Sequence, residues 1–378
     1  MDKSLMSVIG YSHNLWSSTM SFLRTVLNDS VIIHPPGFYI IGFQSFPYIS
    51  VYIIFLAFVY VVTVVCNILL VYIIAVDRRL HTPKFLAVVN LAVIDIMLNT
   101  STIPSMIKTF LFKDNFVPFN QCLLQMYFHY AFLALESYSL AVLAYDRFIA
   151  ICFPLRQNLF NTLLIMSCII GVTWMYCAGL LAYSTAIMTR LSFCNSVRVF
   201  SYFCDYAPVF RLACNDYSLQ WSLASASLGH LIGPFTFIIL SYFIIIVTVC
   251  RMKSVSSRMK ALTTCIEHLI LVAIFYIPIF SIFLFGLFIR AIDPDQRVLS
   301  LSLAVCIPPC INPIVYSLKT KEIKIRVLAL IWRMKTNPWR PIPNQCVEAF
   351  NSVMKLSRLC MYVCGETKRN LFYCLSES

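Results

Sequence analysis

The chain has 378 residues, 60% of them hydrophobic and 12% charged, with a mean hydropathy of +0.80. A soluble domain carries about a quarter charged residues, so a soluble enzyme or binding module is excluded. The formal charge of +13 could suggest nucleic acid, but its distribution speaks against that partner, and nine glycines with no glycine-rich phosphate loop speak against a nucleotide-binding domain.

Six or more segments reach the roughly 20 apolar residues that a bilayer requires. The sequence predicts an all-α membrane protein, a seven-transmembrane helix bundle followed by a short amphipathic helix. The first thirty residues contain Lys3 and Arg24 but no apolar core followed by small residues. No cleavable signal peptide is therefore expected, and the first span serves as the insertion signal. Residues 1–48 read as an extracellular tail and residues 49–318 as the helix bundle. The spans are expected at 49–76, 85–111, 122–152, 162–188, 219–250, 261–288 and 298–318. Span five carries Pro234, which is tolerable in a membrane helix where a neighbour satisfies the freed carbonyl. Cys66, Cys168, Cys177 and Cys306 lie inside apolar runs and read as small core residues.

Lysine and arginine set the orientation. Twenty fall on the side of the loop holding Arg78, Arg79 and Lys84, and nine on the other, so the positive-inside rule places the N-terminus outside. Asn28-Asp29-Ser30 is then a glycosylation acceptor on the outer tail; Asn99-Thr100-Ser101 fits the same pattern but lies within a span. The loop before span five holds Cys194, Cys204 and Cys214, and Cys122 opens span three on the same face. Four cysteines in an oxidising compartment allow three pairings, between which spacing does not choose. Residues 319–332 mix basic and apolar residues at helical spacing and read as a helix on the inner leaflet. Residues 333–378 read as a disordered cytoplasmic tail whose cysteines could be palmitoylated; Cys360 and Cys364 alone do not make a zinc site.

Ionisable groups inside a membrane are costly and mark function. Asp95 lies in span two, Glu136 in span three and His268 in span six. Facing Asp95 and Glu136 could hold a sodium ion or share a proton; the plainer reading is a pair of hydrogen-bonded packing polars with water between them. Asp146 and Arg147 stand together where span three meets a basic loop, either a surface ion pair or a switch whose guanidinium can turn to another partner. In span seven the prolines of Pro308-Pro309-Cys310-Ile311-Asn312-Pro313 loosen the helix, Asn312 can bond the freed backbone, and Tyr316 lies one turn below. No metalloprotease, serine-hydrolase or filter motif accompanies these residues, and the halves show no repeat symmetry of a transporter.

With these residues in view, the chain resembles a rhodopsin-like G-protein-coupled receptor, and specifically an olfactory receptor of the fish type. The resemblance runs from about Pro35 to Trp332 and rests on Asn67, LHTPKF from Leu80, Asp95, LAYDRFIAICFPLR from Leu143, Ser241-Tyr242, KALTTCIEHL from Lys260 and PPCINPIVYSLKTKEIK from Pro308. Cys66 stands where the family has glycine, Phe148 where it has tyrosine, and Pro278 is unusual for odorant receptors.

The resemblance implies the disulfides Cys122 to Cys204 and Cys194 to Cys214, and a sodium or water pocket at Asp95 and Glu136. It implies an inner switch of Asp146, Arg147, Tyr242, His268, Asn312, Pro313 and Tyr316. Ligand contacts are then expected in the outer half of the bundle: His129, Tyr130, Leu133 and Ala134 on span three, Ala226, Ser227 and His230 on span five, and Tyr276, Ile279, Phe280 and Phe283 on span six. The two histidines would suit a polar, anionic odorant, although either could instead face a neighbouring helix. A plasma-membrane odorant receptor of sensory cilia, coupled to a stimulatory G protein and cyclic AMP, is the function implied; a chemosensor outside olfaction, or a transporter or channel, is the alternative.

Overall fold

A computed structural model describes residues 32–194, 196–288, 294–319 and 323–326. The expected glycosylation site at Asn28, the helix beyond residue 326 and the whole tail from 333 lie outside the described residues.

Seven helical spans form a bundle. Span one is Ile49–Val76, span two Pro83–Met106 with a wider turn over Ile107–Leu111, span three Phe119–Cys152, and span four Leu163–Ile187. Span five consists of Ser218–Ser227 and Gly229–Arg251, span six is Val255–Phe288, and span seven consists of Pro294–Cys306 and Pro308–Lys319. Six of these are long and apolar enough to cross a bilayer by themselves; span three meets that measure only together with Pro154–Phe160, bent from it by 110°. Its hydropathy is diluted by His129, Glu136, Asp146 and Arg147, which it can carry because spans two, four, five and six pack around it. The faces turned away from the bundle are apolar, with Met175 77% and Leu164 74% exposed, as lipid contact requires. Cys177 and Cys306 are buried as expected and Cys66 is half-buried, but Cys168 lies on the exposed face of span four.

The prolines are accommodated by neighbours. Pro313 cannot donate to the carbonyl four residues earlier, Pro309 O, and Asn67 of span one donates its Nδ2 to that oxygen at 3.1 Å. Asn99 of span two donates to Cys306 O at 3.2 Å, across the break in span seven. Pro234 likewise frees the carbonyl of His230, which accepts from Ser137 Oγ of span three at 2.9 Å.

One end of the bundle is capped by a small sheet of order β2-β1-β3: β1 Gly37–Ile40, β2 Phe116–Pro118 and β3 Arg198–Val199. Strand β1 pairs antiparallel with β2 and parallel with β3, burying Phe38 and Ile40 over the end of span three. Glycine is needed at Gly37, where a Cβ would collide with the Val117 carbonyl. The strap then reaches span seven, where the Asp295 carboxylate accepts the backbone N–H groups of Gln44 and Ser45 at 3.1 and 2.5 Å. Two disulfides, Cys122–Cys204 and Cys194–Cys214, fix the loop before span five at this capped end.

Candidate functional site

Span three threads three polar centres, each built from side chains on different spans. Nearest the cap, His129 is buried, with Nδ1 2.9 Å from Thr102 Oγ1 of span two and the Phe203 ring 4.0 Å away, centroid to centroid. Tyr130, on the adjacent face, donates its hydroxyl to Asp205 Oδ1 at 2.5 Å. Burial raises the Asp205 carboxyl above its usual range, and the Tyr130 hydroxyl and Arg297 oppose the shift. Phe203, with Tyr202, packs from the disulfide-bonded loop onto this cluster.

Two turns further along, Ser137 joins three spans. Its only proton goes to His230 O, so the Tyr276 hydroxyl 2.6 Å away donates to the Ser137 oxygen. The chain Tyr276 to Ser137 to His230 carbonyl thus links spans six, three and five. Phe280 stacks on Tyr276 at 5.5 Å and meets Phe235 edge-on at 5.0 Å, while Leu133 and Ile279 pack in the same cluster. Removing the hydroxyl leaves a buried carbonyl and phenol unpaired, a loss of about 1–3 kcal/mol. Ser137→Ala should accordingly lower the melting temperature of detergent-solubilised protein by several degrees; an unchanged value would show that the bridge does not hold these spans together.

The sequence placed other residues here less well. Ala226 is exposed, and the Ser227 hydroxyl bonds its own helix at Ala224 O. The helix of these two residues ends at Ser227, and a second helix begins at Gly229. His230 is buried, but its ring faces Tyr138 and Tyr176 of spans three and four, and its Nδ1 has no hydrogen-bond partner among the described residues. Ala134 packs with Ile94, Leu98 and Cys177 on the side of spans two and four. The side chain of Phe283 lies outside those described. Thr102, Ser137, Tyr202, Phe203 and Asp205 were not anticipated; the small polar residue beside Glu136 and one turn below Leu133 was the only hint of Ser137.

The second centre is carboxylic. Asp95 and Glu136 are 0% and 1% exposed. Asn312 donates Nδ2 to both Asp95 oxygens, at 3.0 and 3.2 Å, rather than to the backbone freed by Pro313 as its sequence context suggests. Among the described residues neither Glu136 oxygen has a hydrogen bond of good geometry, so this buried carboxyl has lone pairs to spare for a proton or a small cation. Asn99 is buried and committed to Thr63 and Cys306, which rules out its sequon as a glycosylation site.

The third centre lies at the basic end. Arg147 Nη1 is 3.9 Å from Asp146 Oδ2, a long contact, whereas Asn161 Nδ2 holds Asp146 Oδ1 at 2.7 Å. His268 is buried, and the direction of its bonds is decided by one partner. The Leu140 carbonyl, 3.0 Å from Nε2, can only accept, so Nε2 carries the proton in the neutral ring. Nδ1 then accepts from the Tyr242 hydroxyl at 2.8 Å. His268 of span six thereby holds spans three and five together through two directed bonds. Tyr316 packs against both this cluster and the one formed by spans one and two. Asn312 belongs with Asp95 rather than with this cluster, and Pro313 beside it is buried.

Comparison with known proteins is consistent with this arrangement. A family described as olfactory receptors matches residues 56–334. Olfactory receptor 1M1 of Mus musculus is 34% identical over 266 residues, 70% of this chain and 84% of the relative. Olfactory receptor 51E2 of Homo sapiens is 36% identical over 275 residues, 72% of this chain and 85% of the relative. Olfactory receptor-like protein OLF4 of Canis lupus familiaris is 31% identical over 305 residues, 79% and 95% of the two chains.

Proposed function

Because the chain belongs to the olfactory receptor family of membrane receptors, we propose that it binds a small odorant at the capped, extracellular end of its bundle and activates a stimulatory G protein at the basic, cytoplasmic end, raising cyclic AMP. It works by conformational coupling and catalyses no covalent chemistry.

The reading is carried by one observation: the odorant-side and G-protein-side clusters hang from the same helix. Span three supplies His129, Tyr130 and Leu133 to the first, Ser137 to the bridge, and Leu140 O and Arg147 to the second. An odorant packing on Tyr276 and Phe280 acts on span six, two turns from His268. Displacing span six breaks the His268 bonds to Leu140 and Tyr242, and the freed tyrosine and Arg147 become available to the C-terminus of the G protein. The odorant must prefer the displaced arrangement by about 1–3 kcal/mol, the usual range of coupling between sites. The odorant chamber we infer here would draw on imidazole, phenol and carboxylate groups among aromatic rings, which suits a small ligand with one polar end. A panel of such compounds read out by cyclic AMP in cells expressing the chain tests this; silence of the receptor at the surface to every compound, with a control receptor responding, argues against it.

A sodium ion would be held by Asp95 and Glu136, the orphaned oxygens of Glu136 supplying ligands, and would add a positive charge that offsets two buried carboxylates. Asn312 ties this pair to span seven, so the ion favours the resting arrangement. Exchanging sodium for a bulky organic cation should raise odorant potency by about fivefold or more in the wild type. The Glu136→Gln receptor should show no such dependence, and equal sodium sensitivity in both would contradict the assignment.

A further inference from the structure

The described connections at the basic end, residues 77–82, 153–162 and 252–254, contain a single carboxylate, Asp77. Its own loop orients it: Oδ1 accepts the Arg79 N–H at 3.1 Å, leaving Oδ2 for another donor. Arg326, 249 residues away, places both Nε and Nη2 on that oxygen, at 2.9 and 2.7 Å. The Arg79 backbone N–H, and after it Arg326, hold the Asp77 carboxyl below the usual carboxylate range.

Exposed ion pairs usually contribute little because two long side chains must be ordered to make them. Here most of that ordering is already done. Asp77 is short, only 16% exposed, and turned by its backbone. Arg326 lies three residues after Ile323, on the same face of the helical turn 323–326. Ile323 is 0% exposed, inserted among Leu70, Ile73, Leu80 and Phe85, and Tyr316 packs against that same cluster. The pair therefore closes a loop from the end of span one, through a buried isoleucine, back to the tyrosine of the inner switch.

We propose that Asp77 and Arg326 form a clasp that fastens the chain just after span seven to the first cytoplasmic loop and so sets the resting position of Tyr316. Both are positioning residues for G-protein coupling, an inference that rests on the signalling function proposed above. A contact made in the resting arrangement holds back activation by as much as it favours that arrangement. Releasing the clasp raises ligand-independent signalling and leaves the odorant chamber untouched.

The test uses the full-length receptor with Asp77→Arg, Arg326→Asp and the double exchange, which restores opposite charges in reverse order. Two readouts are needed: ligand-free cyclic AMP per receptor at the surface, and amide hydrogen exchange of residues 323–326 in nanodiscs. Each single exchange should raise basal cyclic AMP by about two- to fivefold and speed amide exchange, and the double exchange should return both to wild-type values. Unchanged amide exchange in the single variants, or no recovery in the double, overturns the clasp. If exchange follows the charge pattern while no receptor, wild type with odorant included, alters cyclic AMP, the clasp's part in coupling falls together with the proposed function. If the wild type responds to odorant but basal signalling ignores the charge pattern, the positioning role alone falls.

Discussion

An Arg147→Ala receptor should reach the cell surface in wild-type amounts and give no cyclic AMP response to any odorant that drives the parent. The structure separates the two effects. Asp146 does not rely on Arg147: Asn161 holds it at 2.7 Å, while the guanidinium stands off at 3.9 Å with its side chain 15% exposed. Removing the arginine leaves Asp146 its hydrogen bond from Asn161, and folding and export are expected to survive. Signalling loses the one group at that position able to present several fixed donors to a peptide carbonyl cluster. Lysine in its place keeps the charge without the planar fork and should recover only a minor part of the response. Surface staining and cyclic AMP measured on the same cells decide the matter, and a retained odorant response would remove Arg147 from the mechanism.

Cys204→Ser should have the opposite profile, with the receptor retained inside the cell. The Cys122–Cys204 bond spans 82 residues and ties the capped end of span three to the loop that carries Tyr202, Phe203 and Asp205 against His129 and Tyr130. Chain entropy alone assigns such a crosslink about 4.5 kcal/mol, against about 3 kcal/mol for the 20-residue Cys194–Cys214 loop. Since a membrane receptor has only a modest margin of stability, losing the Cys122–Cys204 bond stops export. Cys194→Ser should reach the surface in reduced amount. Normal trafficking of Cys204→Ser, by surface biotinylation, would show that the loop is held by other means.

The parts of this architecture that were legible in the sequence are those written locally. Apolar length located six of the spans, span one to the residue, because a bilayer demands a continuous run whatever the tertiary contacts; span three, with its ionisable residues, falls short of that measure alone. The buried carboxylates and the pair at residues 146 and 147 stood out because charge is rare in such runs. What was hidden depends on pairs distant in sequence. The strap of β1 is four residues long, and its partners lie in two separate loops, so no local periodicity announces it. The proline-freed carbonyls found donors on other helices: Asn67 for Pro309 and Ser137 for His230. Asn312 could be read as a backbone partner only while Asp95 was out of view. Which way each side chain of span five faces was not written locally either: Ala226 is exposed, and His230 faces spans three and four.

An odorant lodged against Tyr276 and Phe280 is held to govern a guanidinium at the far end of the same bundle. Nucleotide exchange on a purified stimulatory G protein, with the receptor reconstituted in nanodiscs and an odorant that binds it, measures that link without cellular intermediates. Odorant should accelerate exchange with wild-type receptor and have no effect with Arg147→Ala, while binding to both with similar affinity. Binding without acceleration in the wild type, or acceleration that survives loss of the arginine, would contradict the coupling.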